Sequence, residues 1–358
     1  MNTISLTAAF ERATGPLDWC RRVGLRWISR SQLALSTFVD RDRRIATLAC
    51  ANVALAAVGA IYFPVLLFTL GPILLGVAHV ASDVRYLVLR RRLAHWWQNV
   101  VWLGCLALIA LRALEELGVL RQVERLELGV AVAFVAAALV AALREHGSRL
   151  RAGLAGALLV VAAGLAWRHP SEARLVFLHL HNLIALLVWG LLFRAGKRWL
   201  LVPASLITAT TLLLVGGILY EQTLASPFAS IFRLHVLAVA DWVAPFASLR
   251  TAVGVTSAYV FLQSIHYSVW LSWIPQEELP RRGTPTYRMS ARSLFADLGP
   301  KGVLALAIAA AAVLLGACFE LRRTHALYLS LATFHGYLEL ALLGFFWVRG
   351  TGSAVAAR

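Results

Sequence analysis

Ten stretches of the chain are apolar over close to the length that a helix needs to cross a bilayer, and the rest of the fold has to accommodate them. They run approximately over residues 45–70, 73–90, 97–117, 126–143, 152–167, 173–194, 199–220, 251–274, 302–319 and 325–348. A spanning helix needs roughly 20 such residues, so the shorter runs, such as 152–167, draw on their flanks. In lipid every backbone polar group must be satisfied internally. Continuous apolarity, rather than strict alternation, selects helices over strands. The chain is 60% hydrophobic with a mean hydropathy of +0.73, against about 45–50% apolar for soluble domains. The expected fold class is therefore all-α, a polytopic integral membrane helical bundle of about ten transmembrane helices.

The connections set the orientation. Eight arginines lie in residues 1–44. Arg90, Arg91 and Arg92 follow the second run, and Arg144, Arg149 and Arg151 the fourth. Arg194, Lys197 and Arg198 follow the sixth, and Arg281, Arg282, Arg288, Arg292 and Lys301 the eighth. The intervening connections are poor in basic residues or offset by acids, as in Glu115, Glu116, Arg121, Glu124 and Arg125. Basic loops stay on the cytoplasmic side, so both termini are expected in the cytoplasm, with the protein multi-pass in a bacterial inner membrane. The net charge of +16 is accounted for by topology and anionic headgroups. The expected partners are the bilayer and a lipid-soluble small molecule, and not nucleic acid.

Residues 1–44 read as a basic arm. Within it, residues 17–35 interleave Trp19, Val23, Trp27 and Leu33 with Arg21, Arg22, Arg26 and Arg30, the pattern of an amphipathic helix on the membrane surface. Asp18 and the arginines argue against a signal peptide. The transmembrane domain is expected over 45–349, with a short tail at 350–358. Gly71-Pro72 reads as a tight break that makes the first two runs a hairpin. Two connections are long, 221–250 and 275–301; the first reads as holding an interfacial or re-entrant helix over Ile231 to Leu249, and the second is rich in turn residues and charge. Cys20, Cys50, Cys105 and Cys318 form no CxxC, and neither a disulfide framework nor a cysteine-held metal is expected. Neither a Walker-type loop nor a GxGxxG following a strand is present.

Five histidines lie well inside apolar runs: His79, His179, His181, His266 and His335. His79 and Asp83 are four residues apart, and His335 and Glu339 repeat that spacing. On a helix such a pair shares one face, one turn apart. Ionisable groups at that depth are costly in lipid and should face a protein interior. At about 1.5 Å per residue, His79 is about 9 Å deep, His179 and His181 about 9–12 Å, and His335 about 15 Å, while Asp83 and Glu339 are about 15 and 21 Å deep. Gln263 and His266 share a face near the middle of the eighth run. His179 and His181 point to nearly opposite sides, so one of them is expected in the site. Asn182 shares the face of His179 and favours it slightly; the small Ala185 keeps His181 in play. His95, His146 and His169 sit in charged connections and read as surface residues, and His235 and His325 lie near span edges.

Neutral imidazole with carboxylate suits Fe(II), Zn, Mn or Cu. With open positions, iron held this way activates O₂. His79, His179, His181, His266 and His335 are the candidate ligands. Asp83 and Glu339 are candidates both as ligands or catalytic groups and as acceptors that orient neighbouring imidazoles. The same residue types build a proton or ion path in a transporter, and two histidines on separate helices can hold haem in a non-catalytic subunit.

The pattern Gly76-x-x-His79-x-x-x-Asp83 in an early span, with further intramembrane histidines in later ones, resembles the Brp/Blh family of bacterial and archaeal membrane β-carotene 15,15′-dioxygenases. That resemblance implies an all-helical membrane fold, iron held on histidines, and cleavage of a carotenoid to retinal. The HxxH and HxxHH motifs of sterol and fatty-acid hydroxylases are absent. The expected function is an integral membrane, iron-dependent oxidoreductase of the oxygenase type, acting on a lipid-soluble substrate such as a carotenoid or another isoprenoid.

Overall fold

The computed structural model describes residues 12–350 apart from 92, 194–197, 278, 280–282 and 284–285; the first eleven residues of the arm and the tail beyond 350 lie outside the described residues. The described chain is all-α save for one two-residue hairpin. The arm forms two helices rather than one, α1 (Gly15–Ile28) and α2 (Gln32–Val39), because Ser31 turns extended and caps α2 with its hydroxyl on the Ala34 amide. Asp18 accepts from the amides of Tyr287 and Arg288 at 2.8 and 3.3 Å and so ties the arm to a helix some 270 residues later.

The first span, α3 (Arg41–Tyr62), ends at Phe63, and Pro64 opens α4 (Pro64–Asp83). The break thus falls at residues 63–64 and not at Gly71-Pro72, which lies inside α4. Proline is well placed in a first helical turn, where its missing N–H would be unpaired anyway. Within the helix, Pro72 should orphan the carbonyl four residues back. That carbonyl, Phe68 O, instead accepts from His325 Nε2 at 3.0 Å, so a side chain from the last helix replaces the missing backbone donor. After Asp83 the helix widens into π-helical turns over Val84–Leu89.

The remaining helices are α5 (His95–Glu116), α6 (Glu124–Arg144), α7 (Arg149–Arg168), α8 (Pro170–Leu192), α9 (Leu201–Val215) and the short α10 (Tyr220–Leu224). A hairpin follows, β1 (Ser230–Ile231) with β2 (Leu234–His235), turning through positive φ at Phe232 and Arg233. Then come α11 (Val236–Val243), α12 (Leu249–Ser268, extended by π-helical turns over Val269–Trp273 and a last α-helical turn over Ile274–Glu277), α13 (Tyr287–Phe319) and α14 (Leu321–Arg349). The helix expected from Ile231 to Leu249 is therefore only α11, since the hairpin occupies its first residues. Part of the 275–301 connection is helical, because α13 begins at Tyr287 and breaks at Gly299, whose φ of 67° and ψ of 168° suit only glycine.

Among the described residues, eight helices are long and apolar enough to cross a membrane: α3, α4 with its extension, α5, α6, α7, α8, α13 and α14. Two of the ten expected runs are helical without meeting that standard. Helix α9 has 15 residues. Helix α12 carries Thr256, Ser257, Gln263 and His266, all buried. Its polarity follows from its place: 14 of its 20 residues are buried, so it meets protein rather than lipid. It packs against α3, α4, α8, α9 and α11, while α14 packs against α4, α5, α6, α8 and α13. Helices α4 and α8 are common to both sets. At the periphery, α7 and α13 bury a single residue each, Ala152 and Ala291.

Candidate metal centre

The four helices α4, α8, α12 and α14 each bring one histidine to the place where they meet. One ligand atom from each of His79, His266 and His335 lies within 4.8 Å of the others, and all three residues are buried. His181 joins them from α8, its ring centroid 5.1 Å from that of His266 and 5.4 Å from that of His335. His179 stands apart: its Nε2 donates to Val243 O at 3.0 Å, and its ring meets Tyr259 edge-on. The face slightly favoured from the sequence is thus the one turned toward α11, and His181 is the α8 imidazole at the cluster. Neighbouring polarity did not indicate the face. Helix packing decides it, since Gly336 leaves room for Phe177 and His181 to approach α14.

The ring nitrogens are not equivalent. His335 Nδ1 meets the Ala332 carbonyl, and His181 Nδ1 meets that of Leu178 at 3.0 Å. A carbonyl only accepts, so both Nδ1 atoms carry the proton and both Nε2 atoms keep a lone pair, the tautomer an Nε2 metal ligand needs. His79 Nε2 and His335 Nε2 are 3.2 Å apart. Two nitrogens bound to one ion at about 2.1 Å each stand close to that distance. Neither ring nitrogen of His266 has a hydrogen-bond partner among the described residues, nor has His79 Nδ1. Buried imidazole nitrogens without partners, facing one another, fit a transition metal better than they fit a packed apolar core.

The carboxylates of the two paired motifs flank this cluster differently. Glu339 Oε1 accepts from Trp270 Nε1 at 2.7 Å and lies 3.6 Å from His266 Nε2. Neither oxygen of Asp83 is hydrogen-bonded among the described residues, although the residue is fully buried. The π-helical turns in α4 and α12 begin directly after Asp83 and three residues after His266. Such widened turns re-aim side chains and recur at functional sites. Here they free Trp270 O to accept from Ser82 Oγ at 2.6 Å, stitching α4 to α12 beside the cluster.

A cavity of about 780 Å³ reaches the cluster and is lined by His79, His181 and His335. Its walls include Phe68, Trp242 and Leu329, and its far end is charged, with Arg112, Glu115, Glu124, Glu127 and Arg174. There Arg112 Nη2 meets Glu127 Oε2 at 2.6 Å with both side chains buried, and Arg174 Nη1 meets Glu124 Oε1 at 3.0 Å. The sequence reading passed over the Arg112–Glu127 pair. Its signal was present, an arginine late in one apolar run and a glutamate early in the next, which a hairpin brings to one level. Gly76 is needed at the other end: a Cβ there would lie 2.3 Å from the Tyr328 ring and hydroxyl.

Comparisons with protein-family models, with curated proteins and with solved structures returned no match to this chain.

Proposed function

We propose that this is a multi-pass membrane oxidoreductase of the oxygenase type, with an intramembrane iron centre and a lipid-soluble substrate such as a carotenoid or another isoprenoid. The observation that carries the reading is the convergence of His79, His266 and His335, with His181 beside them, where an apolar-walled cavity reaches the cluster. These four imidazoles would hold the metal, Glu339 would orient His266, and Asp83 would stand ready as a further ligand or proton holder. Iron bound there supplies the capacity to activate O₂. The protein's own part is to hold neutral imidazoles in fixed tautomers, keep bulk water from the site, and seat the substrate against it. Adding both atoms of O₂ across one carbon–carbon double bond yields two carbonyl fragments and balances without another reductant, the chemistry the Brp/Blh resemblance implies.

In this reading α9 and α12 complete a ten-span topology with both termini in the cytoplasm, and the charged end of the cavity faces outward. The exposed Trp19 and Trp27 of α1 rest in the headgroup layer. A second reading, a proton or ion path, has one observation in its favour. Asp83 and Glu339 are both fully buried carboxyl groups, and neither lines the cavity. Metal analysis of gently purified protein, followed by reconstitution with Fe(II), Zn or Cu, separates the two. About one iron per chain, with O₂ consumed on adding a polyene lipid, is the expected result. Protein that holds none of these metals and refuses reconstitution ends the enzyme reading and leaves the proton path.

A further inference from the structure

The cavity that reaches the histidines is apolar along its walls but carries a band of hydrogen-bonding groups beside α4. Tyr328 from α14 lies against Gly76, its hydroxyl buried with no partner among the described residues. Gln263 from α12 gives its amide N–H to Tyr259 Oη at 3.4 Å and turns its carbonyl Oε1 toward Gly71. Tyr267 follows Gln263 by four residues on the same face, its ring 3.3 Å from where a Gly71 Cβ would stand and its centroid 4.7 Å from that of His79. Across the cavity Asn182, only 1% exposed, leaves its Oδ1 unpartnered. Tyr328, Gln263, Tyr259, Tyr267 and Asn182 all line the one cavity. Two glycines of α4, eight and three residues before His79, thus admit three polar side chains.

We infer that the cavity binds a lipid alcohol, its hydroxyl held by Tyr328 and Gln263 beside the histidine cluster and its hydrocarbon body lying along Phe68 and Trp242. A buried donor or acceptor left unpaired is costly, whereas a hydroxyl both donates and accepts. A pure hydrocarbon would leave these groups unsatisfied. A site built to hydrogen-bond a hydroxyl rejects the analogue that lacks it far more strongly than an apolar pocket separates two hydrocarbons. The inference rests on the cavity lining and not on a bound metal.

The test compares farnesol with farnesene, which share an isoprenoid skeleton and differ chiefly in the hydroxyl. Retention of each labelled lipid on the detergent-solubilised full chain is measured by gel filtration, with protein-free micelles subtracted, before and after chelation of metal. Farnesol is expected to bind roughly ten-fold tighter than farnesene, in both metal states, from two or more hydrogen bonds. Tyr328→Phe and Gln263→Leu should each lower the farnesol affinity about fivefold and leave farnesene unchanged. Tyr328→Phe removes one oxygen, so an unaltered elution profile and melting temperature control for folding. Equal binding of the two lipids, or variants that lose both equally, overturns the inference and reads the band as water-filled. Preference for farnesol in a protein that takes up no metal sinks the iron centre while leaving this site standing.

Discussion

The two helices that carry the paired motifs, α4 and α14, use the same spacing and treat it differently. On α14 both members are held: His335 by the Ala332 carbonyl, Glu339 by Trp270. On α4 the anchoring is weaker: His79 Nδ1 has no hydrogen-bond partner among the described residues while its Nε2 meets His335 Nε2 at 3.2 Å, and neither oxygen of Asp83 has a partner there. A metal site needs some ligands fixed in advance, to define its geometry, and gains from others free to adjust. In the metal centre proposed above, α14 takes the fixed role and α4 the adjustable one.

The largest expected effect follows from removing a ligand outright. His335→Ala should abolish stoichiometric metal, because it takes away a lone pair already aimed by its own helix. His79→Ala should do the same, and His266→Ala as well, while His146→Ala, in a connection, should not. Metal per chain by mass spectrometry, with gel filtration as the folding check, reads this out. Full occupancy in His335→Ala would remove α14 from the site altogether.

Next come the carboxylates, where the two helices part. Glu339→Gln and Trp270→Phe disturb one arrangement from its two ends, and each should weaken metal binding about 10-fold, at the lower end of the usual cost of an orienting partner. Asp83→Asn disturbs no hydrogen bond seen among the described residues, and its effect should be only a few-fold. Competition with a chelator of known affinity gives the three constants. Asp83→Asn costing more than Glu339→Gln would reverse the roles given to α4 and α14.

How much of this was legible in the sequence can be judged residue by residue. The helical class and the site helices follow from apolar runs with His and carboxylate at one-turn spacing, both local properties. The depth of His79 was not legible, because Gly71-Pro72 has the composition of a turn. With α4 starting at Pro64, His79 is the sixteenth residue of its helix and His335 the fifteenth of α14, so the two fall level and meet. The carbonyl that Pro72 leaves without its backbone donor is met by His325, some 250 residues on. That is a tertiary contact no local rule contains. The choice between His179 and His181 is of the same kind, settled by which neighbouring helix offers space.

The proline link gives a third contrast between the two helices, this time in stability. His325→Leu should orphan Phe68 O and cost about 1–3 kcal/mol. In a Pro72→Ala background the backbone amide at position 72 becomes available to that carbonyl, so the same substitution should cost clearly less. A double-mutant cycle on thermal or denaturant unfolding measures the coupling. Additive effects would show that His325 does not stand in for the missing backbone donor.

The smallest effect expected on metal is that of His179→Ala, and it isolates what the α8 residues contribute. His179 and His181 are two residues apart, have similar ring chemistry and each donate to a carbonyl. His181 donates to Leu178 O within its own helix, which leaves its Nε2 free at the cluster. His179 uses Nε2 itself, on Val243 O of α11, and so has spent the atom that could have reached a metal. Its loss should therefore leave metal affinity unchanged and lower stability by about 1 kcal/mol, the net worth of one such bond. His181→Ala should do the opposite, weakening metal severalfold while the contact between α8 and α11 is kept. Measuring both constants on both variants makes the exchange visible. Metal loss in His179→Ala with none in His181→Ala would mean that α8 presents its other face to the site.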